Sequence, residues 1–166
     1  FSLVIDGFAH NNLKQRLDVA SQRYDTAIDI NPNESLSWLL RGALLAFQDE
    51  GGEAIAAAEQ ACSLSPIDPF GYFYDSLSST AHLAAEEYGR ALELAERSLA
   101  FNDRHLSTLR AKIIALHFLD RGDEARAAAS DLMRRQPSFR LNEYAKAHPS
   151  SGRALGQRAL VALKAA

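Results

Sequence analysis

Four alanines, Ala20, Ala54, Ala91 and Ala125, recur at intervals of 34, 37 and 34 residues, and their surroundings recur with them. Four positions after each stands Tyr24, Ala58, Ala95 or Ala129, and seven after each stands Ala27, Ala61, Ser98 or Leu132. Twelve after each comes Pro32, Pro66, Asp103 or Pro137. Offsets of 0, 4 and 7 trace one face of a helix, so each segment predicts an amphipathic α-helix with a seam small enough for close helix packing. A repeat of this length is one supersecondary unit that cannot bury its apolar face alone, so units must stack.

A second set of helices fits between these, over roughly 34–48, 69–84 and 105–119. In the first of them Trp38, Leu39, Gly42 and Leu45 share a side, and Gly42 lets a neighbouring helix approach the backbone. Asn31-Pro32-Asn33, Ser65-Pro66 and Gln136-Pro137 end one helix and introduce the next, while Glu50-Gly51-Gly52 and Arg121-Gly122-Asp123 predict turns inside a repeat. No useful stretch alternates with the period of a strand. The expectation is all-α, a right-handed superhelical array of antiparallel helix pairs.

The Trp38 and Gly42 spacing, followed by Ala54, Ala61 and Pro66, resembles the signature of the tetratricopeptide repeat. Repeat three keeps Tyr88 before Ala91 but lacks the tryptophan and glycine of its first helix; repeat four has Leu109 and Ile113 there. The resemblance covers about 12–137. It implies a single domain over 1–166: a partial repeat one over 1–32, repeats two, three and four over 33–66, 67–103 and 104–137, and capping helices over 138–166. Asn11-Asn12 interrupts the place where the first helix of repeat one should continue. More loosely, LSPIDPFGYFYDSL, AERSLAFNDRHLSTLR and the tail GRALGQRALVALKAA are similar to the C-terminal repeat region of bacterial multidomain transcriptional regulators or nucleotide cyclases. The start at Phe1 instead of Met reads as a piece of a longer chain.

Composition sets bounds on function. With 47% hydrophobic and 23% charged residues the chain is ordinary for a globular protein. A net charge of -3 gives no basic face for nucleic acid. No run approaches a membrane span, and the lone Cys62 suits a reducing cytoplasm. The expectations are therefore a cytoplasmic domain with no nucleic-acid or membrane partner.

Catalytic constellations are missing from the sequence: no phosphate loop, no nucleophile elbow, no H-E-x-x-H and no C-x-x-C. Cys62 follows the seam position Ala61 and reads as a small core residue more readily than as a nucleophile. His82 and Glu86 share a helix face, a minimal metal pair at best. Arg134, Arg135 and Arg140 around Pro137 fit a helix C-terminus more readily than a phosphate. The expectation is no enzyme, no cofactor and no metal.

In the family the first helix of each repeat lines a concave, peptide-binding face. The resemblance thus implies a groove built from Leu39, Ala43 and Phe47, from Ser76, Thr80 and Leu83, and from Arg110, Ile114 and His117. The paired Lys, Asn and Arg that clamp a peptide carboxylate in chaperone-binding members are absent, so the groove should be more apolar than anion-binding. Its apolar positions are open to a partner or covered by the chain's own tail. In that tail Ser138 should cap a helix over about 139–147, and Ser150 or Ser151 should start a last helix carrying Leu155, Leu160 and Leu163. A solenoid needs such a terminal cap.

The longest interval contains SLSPIDPFGYFYDSL, Ser63 to Leu77. Asp68 as N-cap and Pro69 in the first turn predict that three inserted residues lengthen the next helix by about one turn. Phe70, Phe73 and Tyr74 should pack on repeat two and leave Tyr72 exposed; Tyr72 and Phe73 standing together in the groove would instead make a partner's aromatic anchor. The functional expectation is a non-catalytic module of a larger regulatory or signalling protein, binding a partner helix or peptide. Its alternatives are self-association as a homodimer and, behind that, a small-molecule sensor.

Overall fold

The computed structural model describes residues 2–13 and 15–166. Ten helices run along the described residues: α1 (Ser2–Asn12), α2 (Leu17–Ile30), α3 (Ser35–Phe47), α4 (Gly51–Leu64), α5 (Gly71–Ala84), α6 (Tyr88–Phe101), α7 (Leu106–Phe118), α8 (Gly122–Arg135), α9 (Leu141–Ala147) and α10 (Ala154–Ala165). The first eight pair consecutively, and α1, α3, α5 and α7 pack side by side along one face of the stack.

The alanine register is the reason the pairs close. Ala20, Ala54 and Ala91 are fully buried and Ala125 nearly so, as are Ala27, Ala61, Ser98 and Leu132 seven residues further along the same helices. Gly42 sits where a Cβ would come within 3.0 Å of Ala54 O, so the α3–α4 crossing is backbone against backbone. The Asn11-Asn12 interruption does not hold: α1 runs through both residues, Asn11 is buried, and a Cβ on Gly7 would fall 2.6 Å from Tyr24 Cε1. Repeat one is a complete helix pair because Gly7 makes room for the Tyr24 ring.

The turns inside the repeats differ from expectation. Gly51, Gly52 and Gly122 lie in the first turns of α4 and α8. The left-handed residues are Gln15, Asp49, Glu86 and Asp120, each five positions before a seam alanine. Glu50, Glu87 and Arg121 N–H each reach back to the carbonyl five residues earlier, on Leu45, His82 and Leu116. This closes the helix ends as Schellman turns without glycine.

The insertion is also placed differently. Helix α5 has 14 residues against 13 in α3 and α7, so it gains one residue and not a turn. The other two extra residues lie in the connection, where 67–70 separate Pro66 from α5 while only 33–34 separate Pro32 from α3. Asp68 does not cap the helix: its Oδ1 accepts the Phe70 N–H at 2.8 Å and its Oδ2 the Ser65 hydroxyl at 2.9 Å, forming an Asx turn that ends before Gly71. Phe70 stays 62% exposed, whereas Tyr74 is buried with its hydroxyl 2.7 Å from Ser35 Oγ. Tyr72 is not exposed either; its ring meets His105 edge-on at 5.6 Å.

The C-terminal helices close the array from the concave side, with α10 packed on α7, α5, α3 and α9. Ser138 does not cap α9, which starts at Leu141 after Arg140, and α10 starts at Ala154, later than Ser150 or Ser151.

Candidate functional site on the concave face

The tail is seated by groups that the repeats supply. Both carboxylate oxygens of Asp49 accept N–H groups at the start of α10, Oδ2 from Ala154 and Oδ1 from Leu155, each at 2.9 Å. A residue from repeat two thus does the capping that no tail serine does. One turn on, Arg158 donates to Ala84 O at 3.1 Å and Leu83 O at 3.4 Å and pairs with Glu86 at 3.2 Å. Leu155, Ala159 and Ala162 are buried beneath. Helix α9 reaches the other way, its Lys146 carbonyl accepting from Gln15 Nε2 at 2.7 Å. The His148 ring stands edge-on to Phe47 at 5.4 Å, and the Arg110 guanidinium lies 5.4 Å from the centre of the Tyr144 ring.

Beneath this strap a cavity of about 380 Å3 remains. Of the residues expected in the groove, Ala43, Phe47, Phe73, Ser76, Thr80, Leu83, Arg110 and Ile114 line it. Three do not. Leu39 is fully buried among Ala61 and Tyr74 because its side of α3 faces α4 and α5. Tyr72 lies against His105 outside the cavity lining, and His117 packs on Phe118 at 5.0 Å at the end of α7. The register missed Leu40 and Leu77, one residue further round their helices, and Asn11 on α1. It also missed Tyr144, His148 and Leu155, which only the return of the tail brings in.

A buried hydroxyl chain backs the cavity. Ser98 Oγ donates to Tyr72 O at 2.7 Å, and Thr108 Oγ1 donates to Ser76 Oγ at 2.7 Å. His105 Nδ1, 2.6 Å from Thr108 Oγ1, must then be the donor to it. On the tail, His148 Nδ1 accepts from Ser150, which leaves its ring proton on Nε2. Burial holds His148 down to about 4, with the Arg110 charge adding to the effect. The same two causes lower His105. Burial raises Tyr144 to about 12 and lowers Arg110.

The other candidate groups find ordinary partners. His82 Nδ1 pairs with Glu87 at 2.7 Å, while Glu86 goes to Arg158, so the His82–Glu86 pair is not formed. Arg134 and Arg135 hold Asp131, and Arg140 donates to the Pro137 and Phe139 carbonyls. Cys62 is half-buried, its thiol pushed up chiefly by burial. No helix among the described residues is long and apolar enough to cross a membrane.

No protein-family model matches the chain, and no curated protein does. Solved structures do. The thermophilic TPR protein TTC0263 of Thermus thermophilus superposes with a TM-score of 0.68 at 18% identity, over 98% of each chain. YrrB, a TPR protein with an unusual peptide-binding site, gives 0.61 at 14% identity over 97% of this chain and 82% of its own. MamA 41-end from Desulfovibrio magneticus RS-1 gives 0.65 at 18% identity over 82% and 75%. The fold is that of a tetratricopeptide-repeat solenoid. Within this solenoid the left-handed turn residues Asp49, Glu86 and Asp120 fall in repeat register, and the first two hold the solenoid's own last helix.

Proposed function

We propose that this solenoid is a non-catalytic protein-interaction module that binds a basic amphipathic helix on its concave face, in the seat its own α10 occupies here. The seating of α10 carries the reading. Two helix N–H groups go to Asp49, an arginine one turn later goes to Glu86 and to the Leu83 and Ala84 carbonyls, and a small apolar face packs against α7. A partner helix with an apolar stripe and a basic residue near its first turn meets the same groups. In a larger bacterial regulatory or signalling protein, release of the tail would then be the step that admits the partner. YrrB, a TPR protein with an unusual peptide-binding site, supports the reading at the level of fold.

The test uses the full chain. Arg158→Glu places a negative charge beside Glu86 and unseats α10 while leaving the groove intact. A labelled peptide of residues 150–166 should bind this variant at least tenfold more tightly than wild type, and adding Ile114→Glu should abolish the binding. Absence of binding to the opened variant rejects the reading. Self-association rests on Ile5, 49% exposed on α1. A wild-type dimer by light scattering that Ile5→Glu dissolves would favour it.

A further inference from the structure

The strapped cavity holds a cation, Arg110, that no carboxylate among the described residues neutralises. Among the described residues no carboxylate lies within ion-pairing distance of Arg110, whose one close partner is the Tyr144 ring. By contrast Arg41, Arg97, Arg121, Arg126, Arg134, Arg135 and Arg158 all have acids. A partly buried guanidinium is stabilised by a π face but is satisfied by an anion, and a cation withdrawn from water without one costs free energy. The groups around it are of the same character. His105 and His148 both sit in the field of Arg110, and neither brings a negative charge. Ser76 Oγ accepts the Thr108 hydroxyl's hydrogen bond, so its own O–H remains to be donated. Asn11, 1% exposed, also lines the cavity, but its unpartnered Oδ1 is an acceptor and so calls for a donor, not for the anion. The rest of the wall is apolar, including Leu40, Ala43, Phe73 and Leu77.

We propose that this cavity is a binding site for a small amphiphilic carboxylate, with Arg110 as the counter-ion of the head group and the Leu40–Phe73–Leu77 wall receiving its apolar body. The 380 Å3 is enough for roughly a dozen heavy atoms, at about 30 Å3 for each water displaced. Arginine suits such a head group because its planar fork meets both carboxylate oxygens at once. Tyr144 and His148 belong to the tail, so the ligand sees a complete site only while the strap is closed. By linkage the carboxylate then strengthens closure by the same factor by which closure strengthens its binding. The site stands apart from the partner-helix reading, since it exists in the closed chain that no partner helix has entered.

Octanoate is the probe and octanol its neutral counterpart, titrated into the full chain by calorimetry. Octanoate should bind at least tenfold more tightly than octanol. Arg110→Met should abolish that preference and Arg110→Lys should retain part of it. Equal affinity for the two probes, or no saturable octanoate binding, overturns the proposal. Because Arg110→Met also removes the cation–π contact to Tyr144, a second measurement uses wild type alone. Octanoate should shift the amide resonances of Asn11, Ser76 and Phe73 in a saturable way, and shifts confined to the outer surface would overturn the assignment of the cavity.

Discussion

Asp49 carries two tasks that conflict at the level of its backbone. Its φ of 67 puts it in the left-handed region, where an L-residue other than glycine costs about 1 kcal/mol or more. Glycine would suit the turn better, and Asp120 sits in the same conformation with no side-chain hydrogen bond to the tail. What favours aspartate at position 49 is the pair of N–H groups of α10 that its carboxylate accepts. Asp49→Gly should therefore leave the repeats as stable or slightly more so while loosening α10 by about 1 kcal/mol, the size of a lost N-cap. Trypsin cleavage after Arg153 and Arg158 should accelerate several-fold, and Asp120→Gly should not change it; equal rates in all three chains would mean the cap does not hold the tail. The sequence showed the seam alanines and Gly42 at once, because helical spacing and residue size are local facts. It pointed to Gly51 and Gly52 for the turn and missed Asp49, whose use depends on residues about a hundred positions away.

At the scale of the element, α5 shows how an insertion is absorbed. Three extra residues could lengthen a helix only if the neighbouring helices offered more surface to cover, and α3 and α7, at 13 residues each, do not. The chain instead makes consecutive turns at Pro66 and Pro69, leaves Ile67 and Phe70 in solvent, and enters the helix at Gly71. The aromatics after it divide by their neighbours: Tyr74 is buried on Ser35, Phe73 lines the cavity, and Tyr72 edges His105. Phe70→Ser should change unfolding free energy by less than about 0.5 kcal/mol. Tyr74→Phe, which strips the hydroxyl from Ser35, should cost about 1 kcal/mol. Urea midpoints check both, and a large loss at Phe70 would show that the segment packs as the bare sequence suggested. The segment is mainly a joint, with Phe73 as its one contribution to the concave site.

On the scale of the whole molecule, the fold is an eight-helix stack closed by a strap, and the two should respond differently to acid. His148 is held near 4 by burial and by Arg110, while in an unfolded or released tail it takes up its proton near 6.5. Above about pH 6.5 the ring is neutral in both states and the strap is fully favoured. As pH falls from there towards 4 the released state binds the extra proton, so closure weakens progressively. Hydrogen exchange of the α10 amides should accelerate between pH 6.5 and 4.5, after correction for intrinsic rates, more than exchange of α3 or α5 amides. His148→Gln, which can still accept from Ser150, should flatten that difference, and an unchanged slope would assign the effect to other groups. From the sequence alone, period, seam and breakers determined the helix pairs, their order and their stacking, since all of these follow from contacts between residues near in the chain. The resemblance to the repeat family implied a groove with Ala43, Phe47, Ser76, Thr80, Leu83, Arg110 and Ile114, and the aromatic segment offered Phe73 as an alternative groove residue. Only the tertiary structure decided that α9 and α10 return across that side, close a cavity over Arg110 and use Asp49 and Glu86 as their seat. The repeat period says nothing about where a non-repeating tail packs, because that depends on the shape and free groups of a surface that exists only once the repeats have stacked.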